Sequence, residues 1–220
     1  MDNVAEAISG LPTTVIHPGG DALLILSSKQ FRMLFHCSSE RLIQNCGHFR
    51  KKLAPGEQPH IELMRDGMVY LTIHDFDPSA IEIILNLVHG RIRNIPRAPS
   101  ISLLYDLARF CHYLECVPAI RPFATSWIDR TKHVVMGLTA LRSDTMQWIF
   151  IPYVFRHEDL FRHMTALAQQ LSAENLERRR DRDQVPVPKD VITSSTNDSA
   201  GSQEGPLFVA QSATGCIKIW

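Results

Sequence analysis

Residues 68–90, MVYLTIHDFDPSAIEIILNLVHG, constrain what this chain can fold into more tightly than any other stretch. Val69, Leu71 and Ile73 alternate with Met68, Tyr70, Thr72 and His74, the two-residue period of a strand with one more apolar face. Asp75 and Asp77 end that strand. Asp77 is placed to cap a helix, because its carboxylate can accept from the orphan N–H groups of a first turn. Pro78 then stands at the first helical position, where its missing N–H has no partner to lose. Ala80, Ile81, Ile83, Ile84, Leu85, Leu87 and Val88 cover more than one side of the helix, and Gly90 supplies its C-terminal stop. A helix with so little polar surface must be covered over most of its circumference, so other elements have to surround it.

The flanking sequence supplies candidates for that cover. Residues 21–26, DALLIL, read as a buried strand, and Phe31, Met33 and Phe35 alternate in a second one after a turn at Ser27 and Ser28. Ser38 or Ser39 can cap a single helix over 40–53 in which Leu42, Ile43, Cys46, Phe49 and Leu53 form one apolar stripe, with Arg50, Lys51 and Lys52 off it. Residues 54–59, APGEQP, are loop, and Pro96 and Pro99 forbid a continuous helix between 91 and 100. Ser100 or Ser102 caps the next helix, striped by Leu104, Leu107, Ala108, Cys111 and Leu114. Pro118 opens another, with Ile120, Phe123, Ala124, Trp127 and Ile128 inward.

Residues 145–155 are strongly apolar, but Pro152 predicts a kink or an end there. Leu160, Phe161, Met164, Leu167, Ala168 and Leu171 make a last amphipathic helix. From Glu177 onward the composition predicts a disordered tail, and its end, GCIKIW, has no evident partner in the chain. At the other terminus Val4, Ala7, Ile8 and Leu11 have helical spacing before Pro12, which suits either a short docking helix or a frayed end.

Charge and cysteine usage exclude several function classes. With 23 basic and 23 acidic residues the formal net charge is zero, which argues against a chain built to neutralise phosphates or to lie on an anionic membrane. No apolar run approaches the roughly 18–20 residues of a membrane span. Five cysteines and an N-terminus without a signal core predict an intracellular protein, in cytoplasm or nucleus. His36, Cys37, Cys46, His48, Cys111, His112 and Cys116 lack the paired short intervals of structural zinc sites, so no metal or other cofactor is expected. Cys111 and His112, as sequence neighbours, point to different sides of a helix and do not form a nucleophile pair. Asp75, Asp77 and Glu82 suit a helix N-terminus better than a catalytic dyad. The arginines at 91, 93, 97 and 178–180 lack stacking aromatics or are diluted by acid, and read as solvated surface.

The order strand, strand, helix, strand, buried helix, helix pair resembles the BTB/POZ fold. Asp21 with LLIL looks like that family's opening acidic residue and strand, and residues 31–35 like its second strand, followed by His36. Leu42, Cys46, Phe49 and Leu53 are similar to the pattern of its first helix, with Cys46 where serine is usual. IEIILNLVHG and LLYDLARFCHYLEC resemble the two helices that follow. The wording is closest to single-BTB proteins of filamentous fungi, including Trp127-Ile128 and the later segment beginning at Trp148.

The resemblance implies an α+β fold: a small, mostly three-stranded sheet flanked by a cluster of helices, with a C-terminal helical extension. The expected organisation is an N-terminal segment at 1–14 with a dimerisation helix, a BTB/POZ domain at 15–130, a helical extension at 131–176 and a tail at 177–220. It implies a non-catalytic protein–protein interaction module that self-associates and scaffolds other proteins. Interface candidates are Val4, Ile8, Leu11, Val15 and Ile16, with Leu42 and Phe49 behind them. An interface of roughly 2,000 Å² would suit an obligate homodimer. The second expectation is an adaptor for a cullin-type ubiquitin ligase, with Met64 and Asp66 in the candidate contact loop. Neither reading involves a small-molecule substrate, nucleic acid or a membrane.

Overall fold

The computed structural model describes residues 8–53, 67–93, 95–137, 143–168, 178, 180–182 and 185–187, together with the backbone of 209–212 and 215–218. The chain divides into two compact units, Met1–Thr131 and Lys132–Trp220. The first unit is α+β. Its strands are β1 (Thr13–Val15), β2 (Ala22–Ser27), β3 (Arg32–Cys37) and β4 (Val69–His74), and its helices are α1 (Ser39–Asn45), α2 (Gly47–Leu53), α3 (Pro78–Val88), α4 (Ile101–Leu114) and α5 (Val117–Thr131). The second unit contains α6 (His133–Met136), α7 (Thr145–Phe155), α8 (Glu158–Ala168) and the strands β5 (Val209–Ser212) and β6 (Gly215–Lys218).

The sheet of the first unit is mixed and four-stranded rather than three-stranded, in the order β1-β3-β2-β4. β2 runs antiparallel to β3 and parallel to β4, and the added strand β1 runs parallel to β3, with Thr13 opposite Leu34 and Val15 opposite His36. Three residues between prolines are too short to display a two-residue period, so β1 leaves no pattern in the sequence. Its place is set by backbone bonds to β3 from either end: the Leu34 N–H donates to Pro12 O at 2.8 Å and the Ile16 N–H to His36 O at 3.0 Å.

The turn between β2 and β3 is held by Ser28, whose hydroxyl oxygen accepts from the Gln30 and Phe31 N–H groups. Gly20 enters β2 so close to Cys37 that a Cβ there would sit 2.0 Å from the Cys37 carbonyl oxygen.

The strand-to-helix turn follows the expected chemistry. Asp75 adopts a left-handed conformation (φ 58°), which aspartate tolerates better than most residues. Asp77 accepts from the Ala80 N–H at 2.9 Å and Pro78 occupies the first turn. Ala80, Ile81, Ile84, Leu85, Leu87 and Val88 are buried, and α3 packs against α1, α4 and α5. Gly90 follows the helix with φ 75°, the conformation that favours glycine after a helix end.

Two helices replace the single one expected over 40–53. Cys46 is extended and separates α1 from α2. The break lets both Leu42 and Phe49 reach the core, and the Gly47 N–H donates to Glu115 O at 3.3 Å at the end of α4. A Cβ on Gly47 would lie 2.9 Å from the Cβ of Glu115, so glycine permits that approach. Ser38 and Ser100 are the caps of α1 and α4. Residues 91–93 and 95–100 are irregular, and Trp127 holds the second stretch by donating its indole N–H to Pro96 O at 2.7 Å.

In the second unit Pro152 does not end its helix. α7 continues to Phe155, with nine of its residues buried, Pro152 among them. One missing N–H is offset by apolar burial around the whole helix. The Pro152 carbonyl instead accepts from the N–H of His157 at 2.9 Å, beyond the left-handed cap at Arg156. α8 packs on α7 through Leu160, Met164 and Leu167; Leu171 lies outside the described residues.

The tail beyond 177 departs from the expectation of disorder at three places. Arg180 is buried and paired with Asp181 Oδ1 at 2.5 Å, so this member of the basic run is not solvated surface. Val185 and Val187 are buried. The segment GCIKIW has a partner after all: Gly215–Lys218 pairs antiparallel with Val209–Ser212, with Ala210 opposite Ile217. Among the described residues no helix is long and apolar enough to cross a membrane.

Ile84 is fully buried at the centre of α3. Ile84→Ala is expected to cost about 2–5 kcal/mol through lost transfer energy and a residual cavity, read as a lower urea midpoint at unchanged slope. Gly20→Ala should cost about 1–3 kcal/mol in the same assay, because the new methyl meets backbone rather than a movable side chain.

Candidate interaction surface

The register of the sheet assigns its residues to two faces. Ala22, Leu24 and Leu26 of β2, with Phe35 of β3 and Leu71 and Ile73 of β4, are buried on the face that receives the helices. Leu23, Ile25, Leu34 and Tyr70 belong to the opposite, outer face. There they form a separate apolar cluster with Ile8 and Leu11 of the N-terminal segment. The outer face is thus apolar along its middle and roofed by a few residues of the chain's own beginning.

β1 is an edge strand, and Val15, facing outward with His36, keeps 48% of its surface exposed. Every second residue of an edge strand turns its backbone groups away from its neighbour. Arg91 answers part of that need: its Nη1 donates to Val15 O at 3.1 Å and also to Ile16 O. The guanidinium therefore ties β1 to the loop after α3. A cavity of about 430 Å³ adjoins this tie, lined by Asn86, Gly90, Arg91, Ile92 and Arg93. Asn86 spends its amide on Glu82 O, so the cavity offers exposed cations and the exposed Ile92 rather than a buried polar donor.

The residues expected to form an interface are dispersed by the fold. Val15 is exposed, Leu11 is half-buried, and Ile8 and Ile16 are buried within the chain itself. Leu42 and Phe49 face the core and present no surface. Val4, Met64 and Asp66 lie outside the described residues. Sequence reasoning missed the outer-face cluster and Arg91. The first needs the β2–β3–β4 register, and the second needs a contact spanning 75 residues, so neither leaves a local signal.

The groups weighed for chemistry have structural partners. Asp77 caps α3. Cys37, Cys46, Cys111 and Cys116 are buried free thiols. Cys111 Sγ and Cys116 Sγ are 3.4 Å apart across the left-handed turn at Glu115, and Cys46 bonds to Cys116 from the break between α1 and α2. Hydrogen bonding to Cys116 and burial push the Cys46 thiol well up, and burial with the nearby Cys46 pushes Cys37 up to about 12. Hydrogen bonding to Cys111 and burial push Cys116 up as well, so Cys46 and Cys116 are held as thiols, which are poor nucleophiles and poor metal ligands. Among the described residues no group of three or more His, Cys, Asp or Glu side chains is placed to hold a metal ion.

His48 lies 4.4 Å from the Tyr113 ring, and burial followed by the charge of Lys52 holds its imidazole below the usual range. Arg109 lies over the rings of Phe76 and Tyr105, at 5.6 and 5.9 Å.

What the arrangement supports chemically is recognition: an apolar sheet face, an edge strand and an exposed aliphatic side chain on one side of the first unit. No protein-family model matches the chain, and no curated protein matches it.

Proposed function

We propose that the chain is a BTB/POZ-type interaction module that associates with a second copy of itself and scaffolds further proteins, without catalysis of its own. One observation carries this reading: Val15 lies 48% exposed on an edge strand, beside the apolar cluster of the outer sheet face to which Ile8 and Leu11 belong. An exposed apolar side chain on an edge strand is what a second chain can cover, by strand addition at the edge and side-chain packing beside it. The order of elements in the first unit, with a buried helix after β4 and a helix pair after it, supports the family reading. A cytoplasmic or nuclear setting belongs to the same proposal, on the strength of the four buried free cysteines. The cullin-adaptor reading rests on residues around Met64 and Asp66 and takes second place.

Light scattering on the full chain is expected to give the mass of two copies at micromolar concentration, and a monomer there would overturn the proposal. Val15→Glu places a carboxylate in the contact and should weaken the dimer by about 2 kcal/mol, roughly thirtyfold in Kd. The fold should survive, because Val15 is half exposed in the single chain.

A further inference from the structure

His89 ends α3, and its backbone N–H donates to Leu85 O at 3.0 Å. Its ring is committed at both nitrogens. Nδ1 lies 2.8 Å from Leu85 O, and Nε2 lies 3.0 Å from the backbone nitrogen of Ser38. A carbonyl can only accept and a backbone N–H can only donate. Nδ1 must therefore carry the proton while Nε2 accepts, and the neutral Nδ1–H tautomer is the one form of imidazole that satisfies both contacts.

Ser38 is the N-cap of α1, so the ring joins the start of that helix to the end of α3. A second tie lies at the other end of α1, where the Asn45 side-chain amide donates to Val88 O at 3.3 Å.

The surroundings of the ring add positive charge. From the segment after β1, His17 places its ring centroid 6.1 Å away, and its own Nδ1 is buried without a hydrogen-bond partner. From α1 comes Arg41, and two residues past His89 stands Arg91, occupied with the carbonyls of Val15 and Ile16. Asp21, before β2, spends its carboxylate on Ser39, at 2.7 Å to the N–H and 2.6 Å to the hydroxyl. His36 of β3 is bonded through Nε2 to Gly20 O, and the Cys37 thiol beside Ser38 is neutral. Burial holds the His89 imidazole below its usual range; the Leu85 carbonyl opposes this, and His17 and Arg41 reinforce it.

We propose that His89 is an acid-sensitive latch: as neutral imidazole it fastens the N-terminal end of α1 to the C-terminal end of α3, and a second proton opens it. The proton, taken from solvent by Nε2, turns an acceptor into a donor that faces the Ser38 N–H. That hydrogen bond is lost, no covalent bond changes, and Ser38 is released from α3 while Asp21 keeps Ser39 and Asn45 still holds the far end of α1. A histidine whose folded-state value lies below its unfolded one stabilises fully above about pH 6.5, and this contribution is lost as pH falls through the folded value. The latch is closed at neutral pH and opens on acidification.

The test is amide exchange by NMR on the full chain between pH 7.5 and pH 5, corrected for intrinsic rates. Protection of the Ser38 amide should fall, approaching about tenfold per pH unit between about pH 6.5 and the folded value and levelling off below it, while the Ile84 amide in the core falls less. In His89→Gln the carboxamide oxygen can accept without titrating, so Ser38 protection should stay level across the range. Constant Ser38 protection in the natural chain, or an equal fall in His89→Gln, would overturn the latch. Should that variant not fold, nitrogen shifts of the natural His89 decide the matter. An Nδ1–H tautomer at pH 7.5 that becomes doubly protonated in step with the loss of Ser38 protection supports the proposal, and an Nε2–H tautomer or uncorrelated titration refutes it.

Discussion

Much of the first unit follows from the breadth of the apolar surface on α3. A helix bearing Ala80, Ile81, Ile84, Leu85, Leu87 and Val88 has apolar side chains over most of its circumference, and all six are buried, while Ser79 and Glu82 keep one narrow side exposed. Each buried aliphatic side chain contributes about 1.5–3 kcal/mol relative to exposure. No single neighbour can collect that energy, so α1, α4 and α5 all pack against this one helix. The break at Cys46 keeps Leu42 and Phe49 both buried and brings Gly47 against the end of α4 at Glu115.

Because the helices occupy one side of the sheet, its other side has to be covered separately. Among the described residues, Ile8 and Leu11 pack with Leu23, Ile25, Leu34 and Tyr70 there. The sheet thus has its inner face in a large core and a smaller cluster on its outer face. Changes on the inner face should register in folding; on the proposed reading, changes at Val15 register in association.

The parts of this fold that were legible in the sequence are those specified by neighbours along the chain. Asp77-Pro78, the apolar run to Val88 and Gly90 each act within one or two turns, and the structure places all three as expected. The caps Ser38 and Ser100 were legible for the same reason. What was not legible depends on distant partners. β1 is a strand because β3 accepts it, the helix over 40–53 divides where Glu115 receives Gly47, and α7 runs through Pro152 with nine of its 11 residues buried. The candidate site suffers most from this limit. Val15 was named from its position near the terminus, but its exposure beside an apolar face follows from strand register, and Arg91 was read as solvated charge although it holds two carbonyls.

The C-terminal end of α3 shows why such contacts matter together. A helix end leaves carbonyls without intrahelical donors, and burying that end requires partners from elsewhere. Here Leu85 O takes the His89 ring nitrogen and backbone N–H, Val88 O takes Asn45 of α1, and Asn86 O takes the Arg91 N–H at 2.8 Å. Arg91, fixed by that bond, sends its guanidinium to β1, while His89 sends Nε2 to Ser38. Satisfying the end of one apolar helix therefore connects the edge strand and the first helix to the same turn. The end of this helix thus gathers several polar contacts in one turn, and Arg91 among them helps to hold the edge strand.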